Sequence, residues 1–156
     1  MLFVMNFSFA DMSVLELKSL QSRTYTTSVN QFLNGLKDSC TARGGQLIGF
    51  YGIEQALKKN LSLESLDSGN IICSNYNPEN LIKFGYSNTQ LKVQGQVIDQ
   101  DKVQVRIIAN SFTNAGTQGG KKFGPISDEK IYKFIFKDIS DAIGVEGIPI
   151  KARQAE

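Results

Sequence analysis

Two alternating runs near the middle of the chain, "LKVQGQVID" from residue 91 and "KVQVRIIANSF" from residue 102, restrict its folding more than anything else in the sequence. In the first, Leu91, Val93 and Val97 fall on one side of an extended strand. In the second, Val103, Val105 and Ile107 do so, while Gln104 and Arg106 take the other side. Asp99-Gln100-Asp101 between them supplies turn residues. Such a pattern commits the chain to a long antiparallel hairpin with one apolar and one polar face. Gly95 interrupts the first run and is expected to mark a bulge or a close backbone approach.

The apolar face needs cover, and two helical patterns supply it. Ser28 followed by Gln31 is a capping-box pair, with Gln31 able to reach back to the cap. Val29, Phe32, Leu33, Leu36 and Cys40 then form one helical stripe, ended by Gly44-Gly45. Near the C-terminus, Ser127 is the expected cap, with Asp128 and Glu129 in the first turn. Ile131, Ile135, Ile139 and Ala142 repeat every fourth residue, Tyr132, Phe134 and Ile143 widen the stripe, and Gly144 stops it.

The remaining segments add strands. Residues 20–26 read as one, "LIKFGYS" as another, and "LSLES" and "NIICSNY" as a hairpin around Asp67-Ser68-Gly69-Asn70, closed by Pro78. Between Gln46 and Asn60, "LIGFYGI" offers a short strand, and Ile53, Ala56 and Leu57 mark two helical turns. The sum is a two-layer α+β domain over residues 11–148, with a polar, flexible tail from 149 to 156. Its mostly antiparallel sheet has four to five strands, covered on one face by two amphipathic helices. The other face, carrying Gln94, Gln96, Gln104 and Arg106, is left for water or a partner.

Composition narrows the chemistry. The chain has no histidine, which removes the commonest general base and the commonest metal ligand. Histidine-dependent triads and zinc sites are therefore excluded. Seventeen basic residues against fifteen acidic ones give a net charge of +2, too mild to announce a nucleic-acid or membrane partner. Asp99 and Asp101 belong to a turn, Glu64 and Asp67 flank another, and Asp128 and Glu129 suit a helix start. No catalytic residue, cofactor or metal site is expected.

The loop "NAGTQGGKKFGP" from residue 114 invites comparison with a phosphate-binding loop. That motif needs glycine where Ala115 stands and a hydroxyl where Lys122 stands, and its helix must begin inside the loop. Pro125 and the Ser127 cap place the helix too late. The loop reads instead as a solvated connection that exposes Lys121, Lys122 and Phe123 together, a candidate contact surface. "IKFGY", with Lys83, Phe84 and Tyr86, hints at stacking aromatics, but the ribonucleoprotein order is missing.

The opening "MLFVMNFSFA" is apolar and ends in Ser8-Phe9-Ala10, the small-residue spacing accepted by a signal peptidase, so export with cleavage after Ala10 is expected. No later stretch reaches the ~20 apolar residues of a membrane span. Cys40 and Cys73 are the only cysteines, and they read either as a disulfide or as two buried thiols.

Three segments, "LKSLQSRTYTT" (17–27), "LESLDSGNIICSN" (63–75) and "IYKFIFKDISDAI" (131–143), resemble a family of small, uncharacterised bacterial envelope lipoproteins. The positions that carry the likeness are Gln21, Arg23 and Tyr25, then Asp67 and Gly69, then Tyr132, Ile135 and Phe136, over about a quarter of the chain. The resemblance implies a compact periplasmic α+β domain acting at the membrane. Asp11 follows Ala10, and no cysteine precedes Cys40, so a lipid anchor is not expected. The expectation is a non-enzymatic periplasmic protein that binds another envelope protein through the open sheet face or the 114–124 loop. The alternatives are an enzyme using a carboxylate or that loop, and a sheet module for RNA or single-stranded nucleic acid.

Overall fold

Each strand of the central hairpin buries every second side chain, and the rest of the molecule is arranged to cover that side. The computed structural model describes residues 13–49, 71–99, 101–113 and 122–150. In chain order the elements are α1 (Val14–Leu20), β1 (Ser22–Thr26), α2 (Val29–Ala42), β2 (Gln46–Ile48), β3 (Ile71–Tyr76) and α3 (Glu79–Lys83). They continue with β4 (Tyr86–Asp99), β5 (Lys102–Thr113), β6 (Lys122–Pro125), α4 (Glu129–Ile143) and β7 (Ile148–Pro149). This is an α+β fold.

The sheet is antiparallel throughout, with order β2-β3-β4-β5-β1-β7, and β6 pairs with the far end of β5. Its seven strands exceed the four to five read from the sequence. The excess comes from β2, which overlaps the short strand offered at "LIGFYGI", and from β6 and β7, which with four and two residues are too short to show a period. Gly95 sits in register opposite Val105, so it marks no bulge; the register shifts lie between Ser87 and Gln90 and between Val97 and Asp99.

Leu91, Val93, Val103, Val105, Ile107 and Ala109 are buried under α2 and α4. Val29, Phe32, Leu33, Leu36 and Cys40 of α2 meet Ile131, Tyr132, Ile135, Phe136 and Ile139 of α4 in the same core. The two helices approach closely at Gly35, where a Cβ would lie 2.4 Å from Ile143 Cγ1, so only glycine fits. Of the two readings left open for the cysteines, the structure has the bond. Cys40 on α2 and Cys73 on β3 form a buried disulfide with a Cα separation of 6.0 Å, tying the helix layer to the sheet.

Several local readings are corrected. Residues 14–20, given no element above, are a helix, because Ser13 and Glu16 complete a capping box, and the strand read over residues 20–26 begins at Ser22. Ser28 accepts from the Gln31 amide as expected, but the Gln31 side chain donates to the Ile143 carbonyl instead of reaching back. Of "LIKFGYS" (81–87), residues 81–83 belong to α3 and only Tyr86 and Ser87 are strand, the start of β4: Pro78 sets the helix entry and Gly85, at φ +91°, ends the turn. The cap of α4 is Asp128, one residue after Ser127. Pro149, placed in a flexible tail, is paired with Arg23 in β7. The "LSLES" strand, residues 50–60 and residues 1–10 lie outside the described residues.

A buried hydroxyl locks α4 to the sheet. Tyr132 donates to the Ile126 carbonyl at 2.9 Å and accepts from the Ala109 amide at 3.1 Å and from Gln21 Nε2 at 3.0 Å. Tyr132→Phe leaves those three groups without this partner and should lower unfolding free energy by about 2–3 kcal/mol in urea titration. A loss below about 0.5 kcal/mol would contradict the assignment. The disulfide closes a separation of 33 residues, so the Cys40→Ala/Cys73→Ala double variant should lose about 3–4 kcal/mol. An unchanged urea midpoint would show that the bridge does not constrain the chain.

Candidate functional site

The open face of the sheet follows from alternation. Residues directly opposite one another in an antiparallel pair point to the same side. With Ile71, Cys73, Leu91, Val93, Val105 and Ile107 turned inward, the side chains between them turn outward. Rows therefore cross the sheet. Ile48, Ile72, Lys92 and Ile108 make one; Gln94, Arg106 and Ser22 the next; Gln104, Thr24 and Ile148 the third. At the far end of β5, Phe112 and Phe123 face each other with ring centroids 4.8 Å apart.

Gln94, Gln104 and Arg106, singled out from the sequence, come together here. With Lys18 and Ser22 they line a groove of about 220 Å³. Arg106 is oriented by Nε, which donates to Gln21 Oε1 at 3.0 Å. Gln21 is itself held by Tyr132, so the position of this guanidinium traces back to the core. Lys18 arrives from the last turn of α1, and Ser22, which donates to the Lys18 carbonyl, begins β1. Gln96 occupies the register position opposite Gln104. Lys121 lies outside the described residues. Lys122 and Phe123 are exposed on β6 but sit opposite Thr113 and Phe112, away from the Arg106 groove. The candidate surface is thus two patches along β5.

The sequence reading missed the aliphatic row. Its signal was present: "IIC" at residue 71 and "RII" at residue 106 place two isoleucines in succession, and alternation forces one of each pair outward. Ile48 is half-exposed on the edge strand β2, extending that row to the margin.

Two other polar clusters are structural. Asp138 of α4 accepts from Ser39 Oγ at 2.9 Å, Tyr76 Oη at 2.7 Å and both Arg43 Nε and Nη2, the last at 2.7 Å. Burial opposes its ionisation, but Arg43, Tyr76 and Ser39 outweigh it and hold the carboxyl below the ordinary aspartate range. Burial first, and the Asp138 charge second, push the Tyr76 hydroxyl far above the ordinary tyrosine value. A carboxylate so occupied is a poor proton acceptor, and it braces the same corner as the disulfide.

Arg23 is buried on the helix side of β1. It donates to the Leu20 and Ser22 carbonyls and lies 4.3 Å from the Phe136 ring centre. Burial lowers its pKa against weaker opposite pulls from Tyr25 and Glu129. The adjoining groove of about 540 Å³ carries charges of both signs, with Lys137 paired to Asp141. Among the described residues no three Cys, Asp or Glu side chains gather as a metal site requires. Comparison with protein-family models, with curated proteins and with solved structures gives no match.

The Asp138 cluster makes stability depend on pH with a definite sign. Its folded pKa is depressed, so its contribution is present above the ordinary aspartate value near 4 and is lost as pH falls toward the folded value. Urea midpoints of the native protein and Asp138→Asn should differ clearly at pH 6 and converge as pH drops below about 4. A gap that stays constant down to pH 2.5 would contradict this.

Proposed function

We propose that this protein is a non-enzymatic binding module of an oxidising compartment, the bacterial periplasm, that docks another envelope protein on its open sheet face. The observation that carries the reading is the one-sided sheet. Both large helices lie on the inner face, while the outer face presents three isoleucines in a row interrupted by Lys92, beside amides and a guanidinium. Mixed apolar and hydrogen-bonding chemistry on a rigid scaffold suits a protein surface. The buried Cys40–Cys73 bond supports the compartment, since such bonds persist where thiols are not kept reduced. The likeness of three segments to envelope lipoproteins and the apolar opening of the chain support it as well. No helix among the described residues is long and apolar enough to cross a membrane.

The test has two arms. Cells of the native host are quenched in acid, denatured and treated with a thiol-alkylating reagent. Cys40 and Cys73 should take no reagent unless a reductant is added first, and full labelling without reductant would place the protein in a reducing compartment. In the second arm, the purified protein is immobilised and exposed to a periplasmic extract in parallel with Ile72→Ser/Ile108→Ser. The native protein should retain a partner that the variant releases, with the variant's circular dichroism unchanged. Equal retention by both would show that the open face is not the contact.

A further inference from the structure

The strands carry almost no negative charge. Among the described residues the acids lie on helices, turns and caps, and Asp99 is the only one in a strand. It stands opposite Lys102 at the end of the hairpin. Glu16, the acid nearest in sequence to Lys18, is occupied by the capping box of α1. The groove at Arg106 is lined by two cations, two amides and a hydroxyl, with no carboxylate among them. Such a donor-rich cleft, with no carboxylate in its lining, complements an anion that can accept several hydrogen bonds at once.

We propose that this groove receives an acidic side chain, aspartate or glutamate, from a segment of the partner protein, and that an aliphatic residue of the same segment rests on Ile108, beside the stem of Lys92. The inference builds on the reading of the open face as a contact surface and adds the chemistry of what binds there. Arg106 and Ile108 are two residues apart on β5, so the acidic and aliphatic groups must stand about 7 Å apart. An extended segment achieves this with positions i and i+2, and a helix with i and i+4. Arg106 and Lys18 supply the charge, Gln94 and Gln104 the amide donors, and Ile108 with the stem of Lys92 the apolar seat. The aliphatic row beside the cations is what favours a peptide over a nucleic acid, whose phosphates and bases would leave it uncovered.

The test is a titration of the ¹⁵N-labelled protein with the blocked peptide acetyl-Gly-Glu-Ser-Leu-Gly-amide, followed by amide shifts at low salt. Shifts should centre on Gln94, Gln104, Arg106 and Ile108. Replacing the peptide's glutamate by glutamine should raise Kd about tenfold, as should Arg106→Gln or Lys18→Gln in the protein. Lys18→Gln leaves the Arg106–Gln21 bond in place and so separates lost charge from a disturbed fold. Equal affinity for the glutamate and glutamine peptides, or shifts confined to the helical side, would overturn the proposal. Tighter binding of a single-stranded oligonucleotide at the same amides would overturn it too. If Ile72→Ser/Ile108→Ser releases the extract partner while Arg106→Gln and Lys18→Gln retain it, the acidic-segment inference fails and the open-face reading survives. If all variants retain the partner, both fail.

Discussion

Burial of the inner side of β4 and β5 beneath α2 and α4 is the constraint on which the molecule depends. Each Leu, Ile or Val removed from water there contributes about 1.5–3 kcal/mol. That side of the hairpin holds Leu91, Val93, Val103, Val105 and Ile107, while Phe32, Leu36, Ile135 and Ile139 meet it from the helices. Apolar burial sets the layers but not their alignment, because it has no direction. Alignment comes from fixed points: the Cys40–Cys73 bond, which joins α2 to β3, the Asp138 cluster, which ties α4 to α2 and β3, and the Tyr132 hydroxyl between α4 and β5. Helices about 10 Å wide cover about 20 Å, close to the width of four strands spaced about 4.8 Å apart. The flanking strands β2 and β7 are correspondingly short.

The same constraint creates the exposed surface. Two helices on one side leave the other side of the sheet uncovered by either, and strand alternation decides which side chains it shows. Charge is divided along this boundary. Asp128, Glu129, Asp138 and Asp141 cap, pair or brace helices, whereas among the described residues the strands show Lys92 and Arg106 outward with Asp99 as their single acid. Positioning of Arg106 by Gln21, and of Gln21 by Tyr132, links the groove to the core through two hydrogen bonds. A surface group anchored in this way loses less conformational freedom on binding than a free side chain would.

What the sequence made legible follows from the strength of each periodic signal. The β4–β5 hairpin and the stripes of α2 and α4 have enough repeats for the pattern to stand alone. The short elements do not: α1 and α3 hold seven and five residues, and their evidence lay in caps, Ser13 with Glu16 and Pro78 with Gly85, rather than in periods. Of the site, Gln94, Gln104 and Arg106 were visible as outward positions of a hairpin. Lys18 and Ser22 were not, because they reach the groove only when β1 lies beside β5, a pairing that local pattern does not encode. Ile72 and Ile108 lay in plain view within double isoleucines but stand on β3 and β5, and they share a row only through Lys92 of the intervening β4, which depends on register.

Site-specific photo-crosslinking in living cells tests most directly whether the uncovered sheet, rather than the helical side, is where this protein meets its partner. A photoreactive phenylalanine analogue is placed at Ile108 on the open face and, in a second strain, at Asp141 on the outer surface of α4. A single discrete adduct is expected at Ile108, lost when Arg106→Gln is introduced, and none at Asp141. An adduct at Asp141 with none at Ile108 would contradict this.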